Sequence, residues 1–535
     1  MSENNHQQRS NGAGVSRRDW LKALVGLPVL GGFFLAWWKK FRYDRFRKRQ
    51  LLESLSTETL ETTRVLSSAP RSSAELIRIG IIGFGGRGEQ LARALGFAHP
   101  DWIASVRQQA ERNRLNRTWQ DWEQQESLDV VIAGICDVFD MRAERGLALL
   151  PSQAVANSVP GSLPRPKRFR TYRDMLASEE IDAVIIATPD FHHAQMTIDA
   201  ANAGKHIYCE KCLTRTEAEL QEVVAAVRSA QQRKGIVFQL GHQYHQSEAF
   251  AKAKEIVAKN ILGKITLVET TTNRNTPDGA WIRHLDANGN PKPGDPTSID
   301  WEQWLGDSPK VPFSIDRFYN WTKWWAYGTG LSGQLLSHEI DAVNQILGTG
   351  IPKYCLASGG IYFYKDNREI PDVFHAVFEF PEKELTMIYS ASLASSFYRG
   401  RVFMGHDGAM ELGANLTVIA DRESTRFAEK IRQGIIDPSL PLFAYRPGLK
   451  SIDAVTSASE KYYLDRGLTY TYRNGKSVDI SHLHLKEWLE CIRTGGTPSC
   501  DINKAFEVTI ACHMATRSYL EQRRVQWDPV QQKIL

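Results

Sequence analysis

What this chain has little of narrows its class first. It carries seven cysteines in 535 residues, an odd number and too few to frame a disulfide scaffold. Cys209 and Cys212 stand at Cys-x-x-Cys spacing, but with no second such pair they cannot complete a four-cysteine zinc site. They read as buried thiols beside a strand end, with a redox dithiol as the other reading. Apolar runs stay shorter than the roughly 20 residues of a comfortable membrane span. A basic stripe with interleaved aromatics is missing from the body, which argues against nucleic acid as a partner. The formal charge of +5 misleads, because Arg17, Arg18, Lys39, Lys40, Arg42, Arg45, Arg47, Lys48 and Arg49 all precede residue 50.

What remains is ordinary globular material. Hydrophobic residues make up 42% and charged residues 24%, enough to build cores, and the length suggests two or three folded units with extensions. Residues 1–50 read as an address. Ser16-Arg17-Arg18-Asp19-Trp20-Leu21-Lys22 precedes an apolar run from Ala23 to Trp38, the pattern of a twin-arginine export signal. The run ends at Trp37-Trp38-Lys39-Lys40 with no small-x-small cleavage site. Trp and Lys at such a boundary are interfacial anchors, so a membrane tether facing the periplasm is expected beside a cleaved signal. Residues 51–75 are rich in Ser, Thr and Glu and read as a linker.

The next segment carries the first chemistry. Ile77-Arg78-Ile79-Gly80-Ile81-Ile82 reads as a buried parallel strand and runs into Gly83-Phe84-Gly85-Gly86-Arg87-Gly88 and a helical stretch. In that setting the glycines serve a dinucleotide. Gly83 permits the tight turn, Gly85 lets the diphosphate reach backbone N–H groups, and Gly88 lets helix and strand pack. Residues 97–127 read as an inserted polar, helical segment. A second strand, Leu128 to Cys136, then ends in Asp137. An acid there accepts from a ribose 2′-hydroxyl and repels a 2′-phosphate, which favours NAD over NADP. Strand and helix continue to alternate through Leu240, implying a doubly wound parallel sheet over 76–242.

Here the residues resemble a known family. Ala187-Thr188-Pro189-Asp190 with His193, then Gly204-Lys205-His206-Ile207-Tyr208-Cys209-Glu210-Lys211, are similar to the Gfo/Idh/MocA oxidoreductases. Gly241-His242-Gln243, the run Gly330–Asp341 and His484–Thr497 extend the resemblance to about residue 528. The resemblance implies an α/β architecture: a Rossmann domain, then a domain over 243–528 with an open, largely antiparallel sheet that often packs against another subunit. A homo-oligomer is therefore expected. It also implies an NAD(P)-dependent oxidoreductase acting on a CH–OH group of a sugar, cyclitol or related polyol. A redox-neutral, NAD-dependent glycosidase of the glycoside hydrolase family 109 kind stays open, as does a non-catalytic nucleotide sensor. Export of a folded chain favours a cofactor held tightly through turnover.

The resemblance puts Lys211 at the substrate with Glu210 orienting it, and Thr188, Pro189, His193, Glu210 and Lys211 beside the cofactor with the glycine loop. Cys212 stands where the family usually has proline. His338 is the candidate general base, with Asp341 setting its tautomer. Gln334, one helical turn earlier and on the same face, stands where the sugar dehydrogenases usually have Asp. His242, Tyr244, His245, Asn273 and Arg274 complete the substrate candidates. Trp321, Trp324, Trp325 and Tyr327 are read either as sugar-stacking rings or as core. No tight ligand constellation is visible, so no metal is expected. Residues 421–480 match no pattern.

Overall fold

The computed structural model describes residues 76–158, 163–283, 297–446, 470–473 and 476–535, together with Leu35, Trp38, Lys39 and Arg42. The twin-arginine segment, most of the apolar run and the 51–75 linker lie outside the described residues. Among the described residues, no helix is long and apolar enough to cross a membrane. The chain divides into two units, residues 1–60 with 429–437, and the remainder. The fold below is that of the remainder.

Strands β1 (Ile77–Ile82), β2 (Val130–Cys136), β3 (Lys167–Arg168), β4 (Ala183–Ile186), β5 (His206–Cys209) and β6 (Phe238–Leu240) form a six-stranded sheet. Its order is β3-β2-β1-β4-β5-β6, and every pairing is parallel. The β-branched runs of β1, β2 and β4 suit strands covered on both faces. The chain winds outward from β1 on one side, then restarts at β4 on the other. The crevice between the ends of β1 and β4 is where such sheets take ligands. Helix α1 (Gly86–Ala94) follows β1. Helix α2 (Asp190–Ala203) follows β4 and ends at Gly204 with φ 78°. Helix α3 (Glu217–Lys234) opens with a Thr216–Glu219 capping box, each side chain bonding the other's backbone N–H. The inserted segment holds helices Pro100–Arg112 and Thr118–Glu123, as its polar pattern suggests.

The second sheet has ten strands. In chain order they are β7 (Ile265–Thr271), β8 (Tyr354–Gly360), β9 (Val373–Phe380), β10 (Leu385–Ser392), β11 (Arg401–Gly405), β12 (Gly408–Leu412), β13 (Leu416–Ala420), β14 (Pro441–Tyr445), β15 (Val525–Asp528) and β16 (Lys533–Ile534). The spatial order is β14-β13-β12-β11-β7-β10-β9-β8-β15-β16. All pairs are antiparallel except β7 with β10. Buried and part-exposed residues alternate strictly along β10, so one face meets the core. Helices α4 (Ser337–Leu347) and α6 (Ile502–Glu521) lie against this domain, with the Ser518 hydroxyl accepting from the Ala357 N–H at 2.8 Å.

The division at residue 242 is not clean. Helix α5 (Ile480–Thr494) returns to the first domain, where Leu485, Trp488 and Leu489 share a core with Ile79, Ile81 and Tyr208. The last strand also carries the second sheet to Ile534, past residue 528.

Candidate active site

The glycine loop is built for close approach. Gly83 sits at φ 86°, and a Cβ there would lie 2.8 Å from the Ala187 carbonyl. A Cβ on Gly88 would overlap the Gly83 carbonyl oxygen, which is why helix and strand pack only with glycine there. A Cβ on Gly86 would meet nothing within 4 Å, and one on Gly85 only Arg142 Nη1 at 3.5 Å. These two positions thus present bare backbone to a cleft of 1110 Å³ that Gly83, Gly85, Gly86, Arg87, Asp137, Thr188, Pro189 and Gln334 line. Phe84 points inward and is 1% exposed, so it contributes its backbone alone. The open backbone at the start of α1 fits a dinucleotide's diphosphate.

Asp137 stands at the end of β2 as expected, but its carboxylate is committed to the loop itself. It accepts from the Phe84 N–H at 2.6 Å and the Phe139 N–H at 2.8 Å. Burial raises its pKa against the opposing charge of Arg142. Beyond it, Phe139 bridges to Ile299. This brings in a wall of aromatic residues in which Phe318 and Tyr319 pack on Phe139, with Trp304, Trp324 and Tyr327 in the same cluster. Of the four rings read as sugar-stacking or core, Trp324 and Tyr327 are buried, and only Trp321 lines the cleft.

Lys211 follows β5, and its peptide bond to Cys212 is cis. Its Nζ donates at 3.0 Å both to the backbone carbonyl and to the side-chain Oε1 of Gln334. The Gln334 amide in turn donates to both oxygens of Asp190, at 2.8 and 2.7 Å. Asp190 also takes the N–H and hydroxyl of Thr329. Burial lowers the Lys211 pKa, and Asp190 is the largest charge acting the other way.

Glu210 does not orient Lys211 through a hydrogen bond. Its Oε1 accepts from Arg87 at 2.8 Å, closing a salt bridge between the glycine-loop helix and the end of β5. His193 does not face the cleft. It is buried between the carbonyls of Thr188 (2.8 Å) and Cys212 (2.6 Å) and braces the two loops on which the site is carried. Cys209 and Cys212 are both buried, and burial pushes the Cys212 thiol up to about 12, which disfavours a reactive dithiol.

Ser332–Leu336 is a π-turn leading into α4. Gln334 and His338 are therefore not one α-helical turn apart, since the i→i+5 pattern widens the turn. Gln334 still bonds the lysine, while His338 feels only its charge. Burial, followed by the charge of Lys211, pushes the His338 pKa well below the ordinary value, so its ring is neutral at pH 7. Its Nδ1 is buried with no hydrogen-bond partner. Asp341 does not set the His338 tautomer. Its Oδ1 accepts from His245 Nε2 at 2.8 Å, because three residues along α4 turn it toward the 242–245 loop. His242 and Tyr244 stand beside His338, with ring centres at 5.5 and 5.0 Å. Asn273 serves the sheet instead, accepting from the Ser392 N–H and donating to the Phe397 carbonyl. Arg274 is exposed and lies over the Trp281 ring at 5.4 Å.

Two residues escaped the reading of the sequence. Asp190 lies inside the Thr188-Pro189-Asp190 motif, but no local signal gives it a role at the lysine. Its link to Lys211 depends on Gln334, 144 positions away. Arg401 forms a fully buried pair with Glu339 at 2.6 Å and lies over the Tyr244 ring at 5.5 Å. No motif announces it.

Two family models match the chain. One, described as an oxidoreductase family with an NAD-binding Rossmann fold, covers residues 77–238. Its companion, the C-terminal alpha/beta domain of an oxidoreductase family, covers residues 294–527. Levoglucosan dehydrogenase of Pseudarthrobacter phenanthrenivorans is 31% identical over 199 residues, 35% of this chain and 41% of the relative. Inositol 2-dehydrogenase of Salmonella typhimurium is 25% identical over 139 residues, 26% of this chain and 37% of the relative. The aligned stretches thus span less than half of either relative. Among solved structures, levoglucosan dehydrogenase in complex with NADH and levoglucosan superposes with a TM-score of 0.52 at 17% identity, over 84% of this chain and 99% of that one. An oxidoreductase domain protein from Kribbella flavida gives 0.54 at 17% identity, over 85% and 99%. At that identity the likeness is one of fold.

Proposed function

Because the chain belongs to the Gfo/Idh/MocA oxidoreductase family, with its NAD-binding Rossmann domain at residues 77–238, we propose that it oxidises a CH–OH carbon of a sugar, cyclitol or related polyol, or reduces the matching carbonyl. The observation that carries this reading is the chain Lys211–Gln334–Asp190 near a neutral His338, joined through Gln334 to the cleft that the glycine loop also lines.

NAD, when bound, supplies the hydride chemistry. The residues of this chain supply the rest. Backbone N–H groups of Gly85 to Gly88 would hold the diphosphate, and the Arg87–Glu210 pair fixes that loop to the end of the strand preceding Lys211. Gln334 holds the Lys211 ammonium by two acceptors, and Asp190 behind it favours the protonated form that burial opposes. A proton held on Lys211 Nζ steadies the alkoxide that forms as the carbinol is oxidised. His338, neutral and with an unpartnered Nδ1, takes the hydroxyl proton. Denaturing the purified protein tests the reading: released NAD or NADH, with turnover on a panel of sugars and polyols, supports it. A protein with no nucleotide and no affinity for one refutes it. Cleavage of aryl glycosides with no net change in the bound cofactor would move the activity to the glycosidase alternative.

Export by the twin-arginine route to the periplasm belongs to the same proposal and rests on Ser16 to Lys22. Retention of an Arg17→Lys, Arg18→Lys double variant in the cytoplasm tests it. A homo-oligomer through the open face of the ten-stranded sheet is likewise proposed, supported by the outward-facing Leu356 on β8, which is half exposed. Sedimentation of the full chain tests that.

A further inference from the structure

We propose that His242, Asp341 and Cys500 form a binding site for a divalent transition metal of the zinc type. The three residues come from separate elements. His242 follows β6, Asp341 lies on α4, and Cys500 precedes Asp501, which caps α6. Their ligand atoms all lie within 4.8 Å of one another. His242 Nδ1 is 3.7 Å from Cys500 Sγ and 3.8 Å from Asp341 Oδ1. Imidazole, carboxylate and thiol together are the donor set zinc takes, and bond lengths of about 2.0 Å to N or O and 2.3 Å to S set ligand-to-ligand edges of roughly 3.5 Å. The two His242 edges need to close by only a few tenths of an ångström, and the Asp341–Cys500 edge, which lies within 4.8 Å, by no more than roughly 1.3 Å.

Hydrogen bonding alone accounts poorly for this arrangement. All three side chains are buried. The His242–Asp341 separation is too long for a hydrogen bond, and the His242–Cys500 contact is a weak one. Asp341, by contrast, is held from outside: His245 Nε2 donates to it at 2.8 Å and Gln345 Nε2 at 3.4 Å. Ligating carboxylates are oriented by hydrogen bonds of this kind. A thiolate and a carboxylate also neutralise a divalent ion, so the buried unit carries no net charge. Binding displaces the Cys500 thiol proton to solvent, with no change in oxidation state. Three protein ligands leave one position of a tetrahedral ion for an exchangeable ligand. The metal ties α4, which carries His338, to the end of the parallel sheet, and the His242 ring lies 5.5 Å from the His338 ring. Spacings of about a hundred residues and more between the ligands hid the site from motif reading.

The test uses the full, tag-free chain, stripped with a chelator and reloaded with Zn2+ or Co2+. The expected result is one metal per chain, a thiolate-to-cobalt absorption band in the near ultraviolet, and one sulfur at about 2.3 Å by zinc X-ray absorption. Zn2+ should raise the melting temperature of the native chain. Cys500→Ser should lose the cobalt band and the thermal shift while keeping its circular dichroism and bound nucleotide. If that variant does not fold, the zinc absorption spectrum of the native chain decides alone. A folded chain that takes up less than a stoichiometric metal, a metal without a sulfur neighbour, or a cobalt band that survives in folded Cys500→Ser would each overturn the proposal.

Discussion

The side-chain amide of Gln334 spans both oxygens of Asp190, at 2.8 and 2.7 Å. An uncharged residue thereby extends a buried carboxylate toward Lys211. The ionisable Asp usual at position 334 in the sugar dehydrogenases is replaced by a relay whose charge sits one residue further back, on α2. Burial withdraws the proton from Lys211, and Asp190 returns part of it. The balance between the two sets where the lysine titrates.

Lys211→Met should therefore cost turnover and spare nucleotide binding. Proton-transfer groups contribute about 10²- to 10⁴-fold, and a loss of that size in kcat is expected. Nucleotide released on denaturation should stay at the native level, since the diphosphate is held by the loop from Gly83 to Gly88.

Asp190→Asn removes the charge that opposes burial at Lys211. The lysine pKa then falls further, so the limb of the pH–rate profile that belongs to Lys211 moves to lower pH. Gln334→Leu cuts the same link and should lower kcat with little change in KM. An unmoved pH limb in Asp190→Asn would mean that the carboxylate serves Thr329 and the fold alone.

The glycine loop offers a paired test. Gly88→Ala places a methyl group against the Gly83 carbonyl and should empty the protein of nucleotide, whereas Gly86→Ala meets nothing within 4 Å and should fold with its turn undisturbed. Absorbance of the nucleotide released from each denatured variant reads the difference.

Arg401 and Glu339 are 2% and 1% exposed and bond at 2.6 Å. Removing one partner strands the other charge in the core. Arg401→Met should lower stability by about 3–5 kcal/mol, seen as a drop in the urea midpoint, while Arg401→Met with Glu339→Leu should recover part of the loss.

Acid should unfold the protein through its buried histidines. Burial lowers His482 and His513 to about 4 and His484 to about 3. A depressed folded pKa means that the unfolded chain binds protons first. The stability these groups contribute is complete above the unfolded value near 6.5 and falls as pH drops from there toward 4. The melting temperature should decline across that window with a slope of more than one proton. A melting temperature flat between pH 6.5 and 4 would contradict neutral burial of these rings.

By itself, the sequence determined the elements whose signals are local. The β-branched run Ile77–Ile82 feeding a glycine turn specifies strand, loop and helix within about fifteen neighbouring positions, and the alternation of strand and helix up to Leu240 dictates a parallel sheet. Thr216 with Glu219, and glycines at the ends of α2 and α3, mark helix limits through backbone needs that do not depend on distant residues.

Only the tertiary structure decided who meets whom. Glu210 and Lys211 are adjacent in the chain and point to different partners, Arg87 and Gln334. His338 and Asp341 share α4, yet the aspartate serves His245, after a π-turn that no periodicity revealed. Helix α5 belongs by sequence to the second domain and by packing to the first. Side-chain pairing over a hundred residues or more is set by how the two sheets and their helices close on one another, and local preference carries no information about that closure.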